Sequence, residues 1–433
     1  MGLKDKLKDI KSTGIKLAAT TEKQRNDALV AVKEALIAEK ESIFEANKID
    51  VKAAEEQGLT KSVIKRLGFD EKKLAGVIDG IDQLISLPDP IGKILLARSL
   101  DEGLDLYRVS VPIGVICLIF EARPDALVQI ASLCIKSGNC AVLKGGSETK
   151  STNRVLFNLI SKAASTVLPE GSLVQIEERS EVNELLSCSD SIDLIIPRGS
   201  NSFVQYIMSH TTIPVMGHAD GVCHLYIDSD ADPETALKIA LDAKTQYTSV
   251  CNAVETILIN RSISDTFIPR FAKMMKDAGV TLHGNADFAE KLRSLCGNDI
   301  SCELMNDDDY HTEYLDYACS CKLVDDIDEA IDHINRFGSH HTDSIITTNK
   351  EKIEHFMNMV DSADCMSNCS TRFSDGFRYG FGAEVGISTG KLHARGPVGL
   401  EGLMTYKYKL YGSGQIVGDY ASGAKQFRFK DIK

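Results

Sequence analysis

The feature that most constrains this fold is an alternation of short apolar runs with helical segments that begins near residue 111. Val115–Phe120 and residues 140–143 are continuous apolar runs of strand length, and residues 125–136 between them carry apolar side chains at helical spacing. A strand, a helix and a second strand in this order form a parallel pair, because parallel strands need a crossover connection. The pattern therefore predicts a doubly wound parallel sheet with a nucleotide site at the carboxyl ends of its strands.

A second series of apolar runs and helices follows, and it predicts a second parallel-sheet domain. Asp232 and Pro233 are typical of a helix start, and this helix is expected to run to about residue 247. Further strands of the first series are expected at residues 173–176, 192–196, 213–216 and 224–227, and strands of the second series at residues 254–259, 322–324 and 344–347. The later helices are expected at residues 263–278, 327–337 and 350–360.

The segments that flank these two series have different patterns. Residues 1–95 carry apolar side chains at helical spacing, with one long helix expected at residues 22–44. Residues 95–108 contain two short alternating runs around Asp101-Glu102-Gly103, which is typical of a hairpin. The tail after Leu403 reads TYKYKLYGSGQIVGDY and predicts an extended arm.

Composition and charge exclude several classes of protein. The net charge of -13 over 433 residues disfavours binding to nucleic acid and to anionic membranes. No apolar run reaches the length of a membrane span, and residues 1–14 lack the apolar core of a signal peptide. Twelve cysteines in such a chain predict reduced thiols and a cytoplasmic location.

Two glycine-containing loops are candidates for holding a nucleotide, since the chain has neither a GxxxxGK[ST] nor a GxGxxG motif. Residues 144–148 (KGGSE) follow one expected strand, and residues 197–200 (PRGS) follow another and precede a helix. Glycine lets the backbone approach a phosphate, and a helix amino terminus offers unpaired N–H groups. Ordinary loops between strands and helices have the same composition, so the pattern alone leaves both interpretations open.

The spacing of cysteine and histidine gives little support to a metal site. No CxxC motif occurs, Cys319 and Cys321 alternate along an expected strand edge, and His340-His341 is the only histidine pair. Several of the cysteines fall in apolar segments, which is typical of small buried side chains. No resident metal is expected; a metalloprotein is the alternative, which stoichiometric zinc in the purified protein would support.

Cys251 differs from the other cysteines in its surroundings. It lies in QYTSVCNAVET, between the helix that starts at Asp232 and the strand expected at residues 254–259, with Ser249 and Asn252 beside it. A thiol on a polar loop between core elements can reach solvent and ionise. The loop position alone does not distinguish a nucleophile from a structural thiol.

Several long segments of the chain match one known family in the family's order, over residues 111–427. They are VPIGVICLIFEARPDA, SGNCAVLKGGSET, IDLIIPRGS, HADGVCHLYID, SVCNAVETILIN, NCSTRFSDGFRYGFGAEVGISTGKLHARGPVGLEGL and DYASGAKQF. In these segments the chain resembles the gamma-glutamyl phosphate reductases (glutamate-5-semialdehyde dehydrogenases), a branch of the aldehyde dehydrogenase superfamily.

The resemblance implies an aldehyde-dehydrogenase-like α/β fold, with two doubly wound parallel-sheet domains and a β-arm for oligomerisation. An NADPH-binding domain would comprise residues 1–94 and 111–247 and include the amino-terminal helices. Residues 95–110 and 404–433 would form the arm, and residues 248–403 would form the catalytic domain. An arm of this kind implies a homodimer or a homotetramer.

The same resemblance assigns residues to the cofactor site. Lys144 corresponds to the lysine that contacts the adenosine ribose, and Gly199 and Ser200 correspond to the loop near the pyrophosphate. Ser147 stands where NAD-specific relatives often carry glutamate; serine can donate to a 2′-phosphate that glutamate would repel, which favours NADPH. Glu313 corresponds to the glutamate that holds the nicotinamide ribose, although the phenylalanine and proline that usually follow it are absent.

The resemblance also assigns residues to the catalytic site, where Cys251 corresponds to the nucleophile. The carboxylate that serves as base in the hydrolytic members corresponds to a position near His218. The absence of a carboxylate there agrees with a reductase, which should not hydrolyse its acyl-enzyme. The alternative role of His218 is that of a packed, hydrogen-bonded side chain. The superfamily's oxyanion asparagine falls near Ala122, which leaves the backbone N–H of Cys251 as one expected donor.

Three further residues are candidates for binding the substrate. They are Arg123, Asn252 and Arg395, of which the arginines can bind carboxylate or phosphate bidentately. A structural ion pair is the alternative role for either arginine.

The implied reaction is the NADPH-dependent reduction of L-glutamyl 5-phosphate to L-glutamate 5-semialdehyde and phosphate, the second step of proline biosynthesis from glutamate. Cys251 would attack the acyl phosphate and form a thioester, which hydride would reduce. A related oxidative semialdehyde dehydrogenase and a binding protein without catalysis are the alternatives. A glutamate kinase that supplies the labile acyl phosphate is a candidate transient partner.

Overall fold

The computed structural model describes residues 2–121, 123–178, 180–218 and 220–432, apart from the side chains of Lys61 and Ser62. The chain forms two compact units, one of residues 1–216, 381–386 and 398–433 and one of residues 217–380 and 387–397. Each unit contains a parallel sheet with α-helices, as the sequence predicts. Among the described helices, none is long and apolar enough to cross a lipid bilayer.

The first unit is built around a four-stranded parallel sheet. Its strands before residue 217 are β1 (Ile94–Asp101), β2 (Leu104–Pro112), β3 (Val115–Phe120), β4 (Cys140–Gly145), β5 (Leu173–Ile176) and β6 (Leu194–Arg198). The parallel sheet has the order β5-β4-β3-β6. Every residue of β3 is buried, as expected for an apolar central strand of a parallel sheet.

The helices of this unit before residue 217 are α1 (Leu3–Leu7), α2 (Ile10–Ala18), α3 (Glu22–Ala38), α4 (Lys40–Glu56), α5 (Lys61–Leu67), α6 (Glu71–Ser86), α7 (Pro124–Ser137), α8 (Lys150–Ala164), α9 (Glu181–Leu185) and α10 (Asn201–Ser209). The single helix expected at residues 22–44 is wrong, because Glu39 leaves the helical conformation and separates α3 from α4. Gly138 ends α7 with a φ of 70°, a left-handed conformation that glycine adopts readily at helix ends. The strand expected at residues 213–216 is also wrong: Pro214 has no N–H for a ladder, and only Val215 forms a bridge.

The second unit is built around a seven-stranded parallel sheet. The strands of the whole unit are β7 (Cys223–Ile227), β8 (Val254–Asn260), β9 (Thr281–Gly284), β10 (Cys302–Leu304), β11 (Ala318–Val324), β12 (Thr342–Ile346), β13 (Asp364–Ser367), β14 (Ile387–Ser388) and β15 (Gly396–Pro397). The parallel sheet has the order β10-β9-β11-β8-β7-β12-β13, and β14 pairs with β15. The helices are α11 (Pro233–Thr245), α12 (Ser264–Asp277), α13 (Ala286–Cys296), α14 (Ile327–Phe337) and α15 (Lys350–Met359). Asp232 caps α11 by accepting from the Thr235 N–H at 2.9 Å, as predicted.

An antiparallel sheet in the first unit joins the expected hairpin to the chain's tail. The tail forms β16 (Met404–Tyr411), α16 (Val417–Ala421) and β17 (Lys430–Asp431), and the sheet has the order β16-β2-β1-β17. Gly103 turns the hairpin with a φ of 68°, a conformation that glycine adopts without strain. Seven of the eight residues of β16 are exposed, so this strand offers an open edge and an uncovered face.

The compact units differ from the expected domain boundaries: residues 381–386 and 398–403 of the expected catalytic domain lie in the first unit, and residues 217–247 of the expected cofactor domain lie in the second. β7 and α11 lie in the second unit, whereas the expected cofactor domain extends to residue 247. The difference arises because β7 pairs with β8 and β12 inside the seven-stranded sheet. The division into cofactor, catalytic and arm functions stays a prediction.

Candidate active site

Three neighbouring strands of the seven-stranded sheet bring together residues that are far apart in the sequence. β8, β7 and β12 are adjacent and parallel, so their amino ends lie at the same edge of the sheet. Gly221 precedes β7, Cys251 precedes β8, and His341 comes immediately before β12. The candidate nucleophile therefore lies at the amino edge of this sheet.

Cys251 faces a histidine that was not among the residues expected from the sequence. His341 Nε2 lies 3.2 Å from Cys251 Sγ, and its Nδ1 lies 2.7 Å from the hydroxyl of Thr342. The His341 ring is fully buried, whereas Cys251 is partly exposed. A ring held at both nitrogens beside a reachable thiol can accept the thiol proton, which is the arrangement that nucleophilic catalysis by cysteine requires.

The backbone next to His341 is in an uncommon conformation. His340 has a φ of 58°, and left-handed backbone is unusual for a residue with a side chain. Its Nδ1 lies 2.7 Å from the Asp361 carbonyl oxygen, a contact that helps to hold this turn. Such conformations are retained where surrounding contacts determine a functional side chain, and here they precede the partner of the thiol.

Gly221 lies against the nucleophile so closely that only glycine fits. A Cβ at this position would lie 2.0 Å from the Cys251 carbonyl oxygen and 2.5 Å from its Cβ. The Cys223 thiol donates to the same carbonyl oxygen at 3.2 Å. The Gly221 N–H also interacts with the Glu313 carboxylate, whose pKa is raised by burial despite this contact. Gly221 thus joins the nucleophile to the segment that carries Glu313.

Asn252 is fixed by the segment that follows β13. Its Nδ2 donates to the Ser374 carbonyl at 2.7 Å, and its own carbonyl accepts from the Thr371 hydroxyl at 2.7 Å. Its Oδ1 is buried and has no hydrogen-bond partner among the described residues. The loop beside Cys251 is therefore rigidly held, and it leaves one buried acceptor for a ligand.

A buried ion pair joins α11 and β8, the two elements that flank the same loop. Lys244 in α11 lies 2.6 Å from the Glu255 carboxylate in β8, and neither side chain is exposed to solvent. Glu255 also accepts from the Leu315 N–H at 3.3 Å. Burial raises the pKa of Glu255 to about 7, although the Lys244 ammonium opposes that change.

The cations near the nucleophile differ from those expected. Arg372 is buried, donates from Nε to Gln246 Oε1 at 3.0 Å, and is near enough to Cys251 for a thiolate there to raise its pKa. Burial is the main cause that lowers the pKa of Arg372, and neighbouring Arg378 lowers it further. Arg395 instead donates to the carbonyl and carboxylate of Asp361, at 2.9 and 3.1 Å.

His218 packs against His341. The two rings meet edge to face with their centres 4.8 Å apart, and His218 Nδ1 lies 2.7 Å from the Ile387 carbonyl oxygen. A carbonyl can only accept, so this contact places the proton of a neutral His218 on Nδ1.

Four of the five expected cofactor residues, Lys144, Ser147, Gly199 and Ser200, lie at the carboxyl edge of the four-stranded sheet, at or just after the ends of β4 and β6, whereas Glu313 lies in the second unit before β11. The Ser200 N–H at the start of α10 donates to the Glu121 carboxylate at 3.0 Å, and a Cβ at Gly199 would lie 2.6 Å from the same Oε2. The N–H at the amino end of α10 thus binds an anionic oxygen, as it would bind a pyrophosphate, which would have to displace the Glu121 carboxylate.

The rest of the expected cofactor edge surrounds β4 and α7. Lys144 is buried near the end of β4, and Ser147 is exposed at the start of a 3₁₀ turn. A Cβ at Gly146 would lie 2.1 Å from the Glu148 carboxylate, so a negative charge lies beside this loop. Arg123 precedes the first turn of α7, and Ala122 lies outside the described residues.

Comparison with known proteins decides the family. The aldehyde dehydrogenase family profile matches residues 11–288. Gamma-glutamyl phosphate reductase of Acetivibrio thermocellus is 52% identical over 429 residues, which cover 99% of this chain and 98% of that protein. The chain belongs to the gamma-glutamyl phosphate reductase branch of the aldehyde dehydrogenase family. The protein of the same name from Brachyspira hyodysenteriae is 51% identical and is covered, like this chain, over its full length.

The match to this family extends to the three-dimensional structure. The crystal structure of gamma-glutamyl phosphate reductase from Thermotoga maritima superposes with a TM-score of 0.91 at 36% identity, covering 95% of this chain and 99% of that one. An acetylating aldehyde dehydrogenase from Geobacillus thermoglucosidasius, at 16% identity and a TM-score of 0.65, shares the fold. The expected aldehyde-dehydrogenase-like fold is thereby confirmed for this member of the gamma-glutamyl phosphate reductases.

Proposed function

We propose that this chain reduces L-glutamyl 5-phosphate to L-glutamate 5-semialdehyde and phosphate, using NADPH, as the second step of proline biosynthesis from glutamate. The observation that carries the proposal is Cys251 Sγ at 3.2 Å from His341 Nε2, in a member of the gamma-glutamyl phosphate reductases. A thiol beside a base forms acyl-enzymes, and a reductase needs such an intermediate to separate loss of phosphate from reduction.

The residues at the carboxyl edge of the four-stranded sheet would hold the cofactor. Lys144 would contact the adenosine ribose, and Gly199 and Ser200 the pyrophosphate. Glu313, which belongs to the second unit, would hold the nicotinamide ribose. Their fit is supported by the Glu121 carboxylate, which receives the Ser200 N–H as a phosphate oxygen would. A reduced nicotinamide, when bound, supplies the hydride that converts an acyl group into an aldehyde.

The preference for NADPH over NADH rests on one side chain. Ser147 can donate to a 2′-phosphate, where a carboxylate at the same position would repel it. The Glu148 carboxylate beside Gly146 acts in the opposite direction, so the two neighbouring residues have opposing effects on cofactor choice. We propose that NADPH is preferred because Ser147 is exposed at the start of its turn and can reach the ligand.

The chain's own residues account for acylation and for recovery of the enzyme. His341 takes the thiol proton as Cys251 Sγ attacks the γ-acyl carbon; the bond from carbon to the phosphate oxygen then breaks, and phosphate leaves. The backbone N–H of Cys251 would stabilise the oxyanion that forms between these two events. When the product aldehyde leaves, the thiolate recovers its proton from His341.

We propose Arg372 as the first contact of the substrate's anionic groups. It is a buried cation close to Cys251 whose Nε is bound to a neutral amide oxygen, and a buried guanidinium in that state favours an anionic ligand. Arg123 is a second proposed contact of these anionic groups, whereas the buried Oδ1 of Asn252, which can only accept, would contact the substrate's ammonium group. Arg395 reaches the substrate in this scheme only by exchanging its contacts with Asp361.

The setting of the enzyme follows from the same features. The exposed strand β16 would pair or pack with another copy, giving a homodimer or homotetramer. The cysteines are free, as is usual in a reducing compartment, so the cytoplasm is the proposed location. A glutamate kinase would be a transient partner, since acyl phosphates hydrolyse in water.

The test is the reverse reaction, in which glutamate semialdehyde reduces NADP+. We expect turnover to require inorganic phosphate, because phosphate is the acceptor of the acyl group. Cys251→Ala should abolish turnover, whereas Cys296→Ala, which changes another partly exposed thiol, should not. Oxidation to glutamate without phosphate would identify an oxidative dehydrogenase, and absence of NADP(H) binding would identify a protein without this activity.

A further inference from the structure

The active-site thiol lies within a cluster of three side chains that can all bind a soft metal ion. One ligand atom from each of His218, Cys251 and His341 lies within 4.8 Å of the other two. The three residues come from segments before β7, β8 and β12, so no spacing motif in the sequence indicates the cluster. Two imidazoles and one thiolate match the preferred donors of zinc.

The contacts around both imidazoles are those that support a metal ligand. His341 Nδ1 lies 2.7 Å from the Thr342 hydroxyl, and His218 Nδ1 lies 2.7 Å from the Ile387 carbonyl oxygen. Histidines that bind metals commonly donate one ring N–H to such a group, which places the lone pair on the other nitrogen. In both rings Nε2 is therefore the atom suited to a metal.

The distances fit a tetrahedral ion after a small adjustment. Zinc bonds of about 2.3 Å to sulfur and about 2.0 Å to nitrogen place tetrahedral ligand atoms roughly 3.3–3.6 Å apart. The separation of Cys251 Sγ and His341 Nε2, 3.2 Å, is already close to that range. The ligand atoms of the cluster lie up to 4.8 Å apart, so a side-chain movement of up to roughly 1.5 Å brings the third ligand into this range, and three ligands leave one position for water.

We propose that His218, Cys251 and His341 bind Zn²⁺ or a similar soft divalent cation, and that this ion reversibly blocks the nucleophile. A bond forms between sulfur and the ion while the thiol proton passes to solvent, so nothing is oxidised or reduced. A chelator reverses the step by removing the ion, and a proton returns to sulfur. The proposal goes beyond the reductase function, since metal binding depends only on these three side chains.

The first test follows the thiol itself rather than the reaction. The full-length protein is treated with iodoacetamide in phosphate-free buffer with and without Zn²⁺, and alkylation of Cys251 is followed by peptide mass spectrometry. We expect Zn²⁺ to slow alkylation of Cys251 at least about tenfold and a chelator to restore the rate. Cys296, on a different element, should be alkylated at the same rate in both conditions. An unchanged rate at Cys251 overturns the proposal, and it leaves the reductase function intact.

The second test identifies the ligands. Co²⁺ replaces Zn²⁺ in such sites, and a thiolate ligand gives a charge-transfer band in the near ultraviolet. We expect the band in the wild-type protein and in His355→Ala, which removes an exposed histidine, and not in Cys251→Ser. His218→Ala should weaken Zn²⁺ protection of Cys251 by at least about tenfold, because it removes a ligand but leaves the thiol. Equal protection in His218→Ala would overturn the three-residue site.

Discussion

Replacing His341 with glutamine tests whether this side chain acts as a proton acceptor or only fills space beside Cys251. Glutamine can still direct an amide group toward Cys251 Sγ, which lies 3.2 Å from His341 Nε2, but it cannot take the thiol proton. General-base catalysis contributes about 10²- to 10⁴-fold, which corresponds to about 2.7–5.4 kcal/mol. We therefore expect kcat/KM for phosphate-dependent oxidation of the semialdehyde to fall by about 10²- to 10⁴-fold.

The assay compares steady-state and single-turnover rates. The fall should appear in kcat and in the rate of the first turnover, while the KM for NADP+ stays within about threefold of the wild-type value. His355→Gln is the matched control, since this histidine is exposed and lies on α15. A folded His341→Gln enzyme whose kcat/KM is within about threefold of wild type refutes the role of His341 as base.

Three further substitutions test the supporting structure. Lys244→Met leaves the buried Glu255 carboxylate without its cation, so the free energy of unfolding measured in urea should fall by about 3–5 kcal/mol. A fall of less than about 1 kcal/mol would show that the buried pair does not stabilise the fold. Ser147→Glu should lower the ratio of kcat/KM for NADPH to that for NADH at least about tenfold, because it adds a charge that repels a 2′-phosphate; an unchanged ratio would show that Ser147 does not set the preference. Arg372→Met should raise the KM for inorganic phosphate about 10- to 100-fold, as expected for a lost charge-assisted hydrogen bond, with the KM for NADP+ as the internal control. An unchanged KM for phosphate in this variant would show that Arg372 does not bind the phosphate.

Much of the fold follows from local sequence because each element carries its own signal. β3 is an uninterrupted apolar run, and α11 begins with an aspartate cap followed by proline. Gly103 supplies the left-handed residue that the hairpin of β1 and β2 requires. The short strands β9 and β10 were not expected, because runs of three or four mixed residues carry no periodic pattern.

The candidate site could be predicted only in part, because strand order is not written in local sequence. Cys251 emerged from the resemblance of the segments around it, but His341 lies 90 residues further along the chain. The two meet only because β7 lies between β8 and β12 in the sheet. Gly221 gives no separate signal either, since its role is to leave room for the Cys251 backbone. The sequence pattern predicts a nucleotide site at the carboxyl ends of the strands, whereas Cys251 and His341 lie at the amino edge of the seven-stranded sheet.

For the expected cofactor residues, the sequence predicts their position in the sheet but not their contacts. Lys144, Gly199 and Ser200 lie at the ends of β4 and β6 or just after them, on the two sides of β3, as the pattern of strands and helices predicts. The contact of Ser200 with the Glu121 carboxylate depends on a side chain from the end of a third strand, β3, which sequence spacing does not reveal.

The central claim is that Cys251 carries the acyl group, and it can be measured directly. The enzyme is mixed with glutamate semialdehyde and NADP+ in the absence of phosphate, quenched in acid and analysed by mass spectrometry of the intact chain and its peptides. We predict one γ-glutamyl adduct, located on Cys251, that disappears when phosphate is added before the quench. Turnover without an adduct on Cys251, or an adduct on a different residue, would contradict the account.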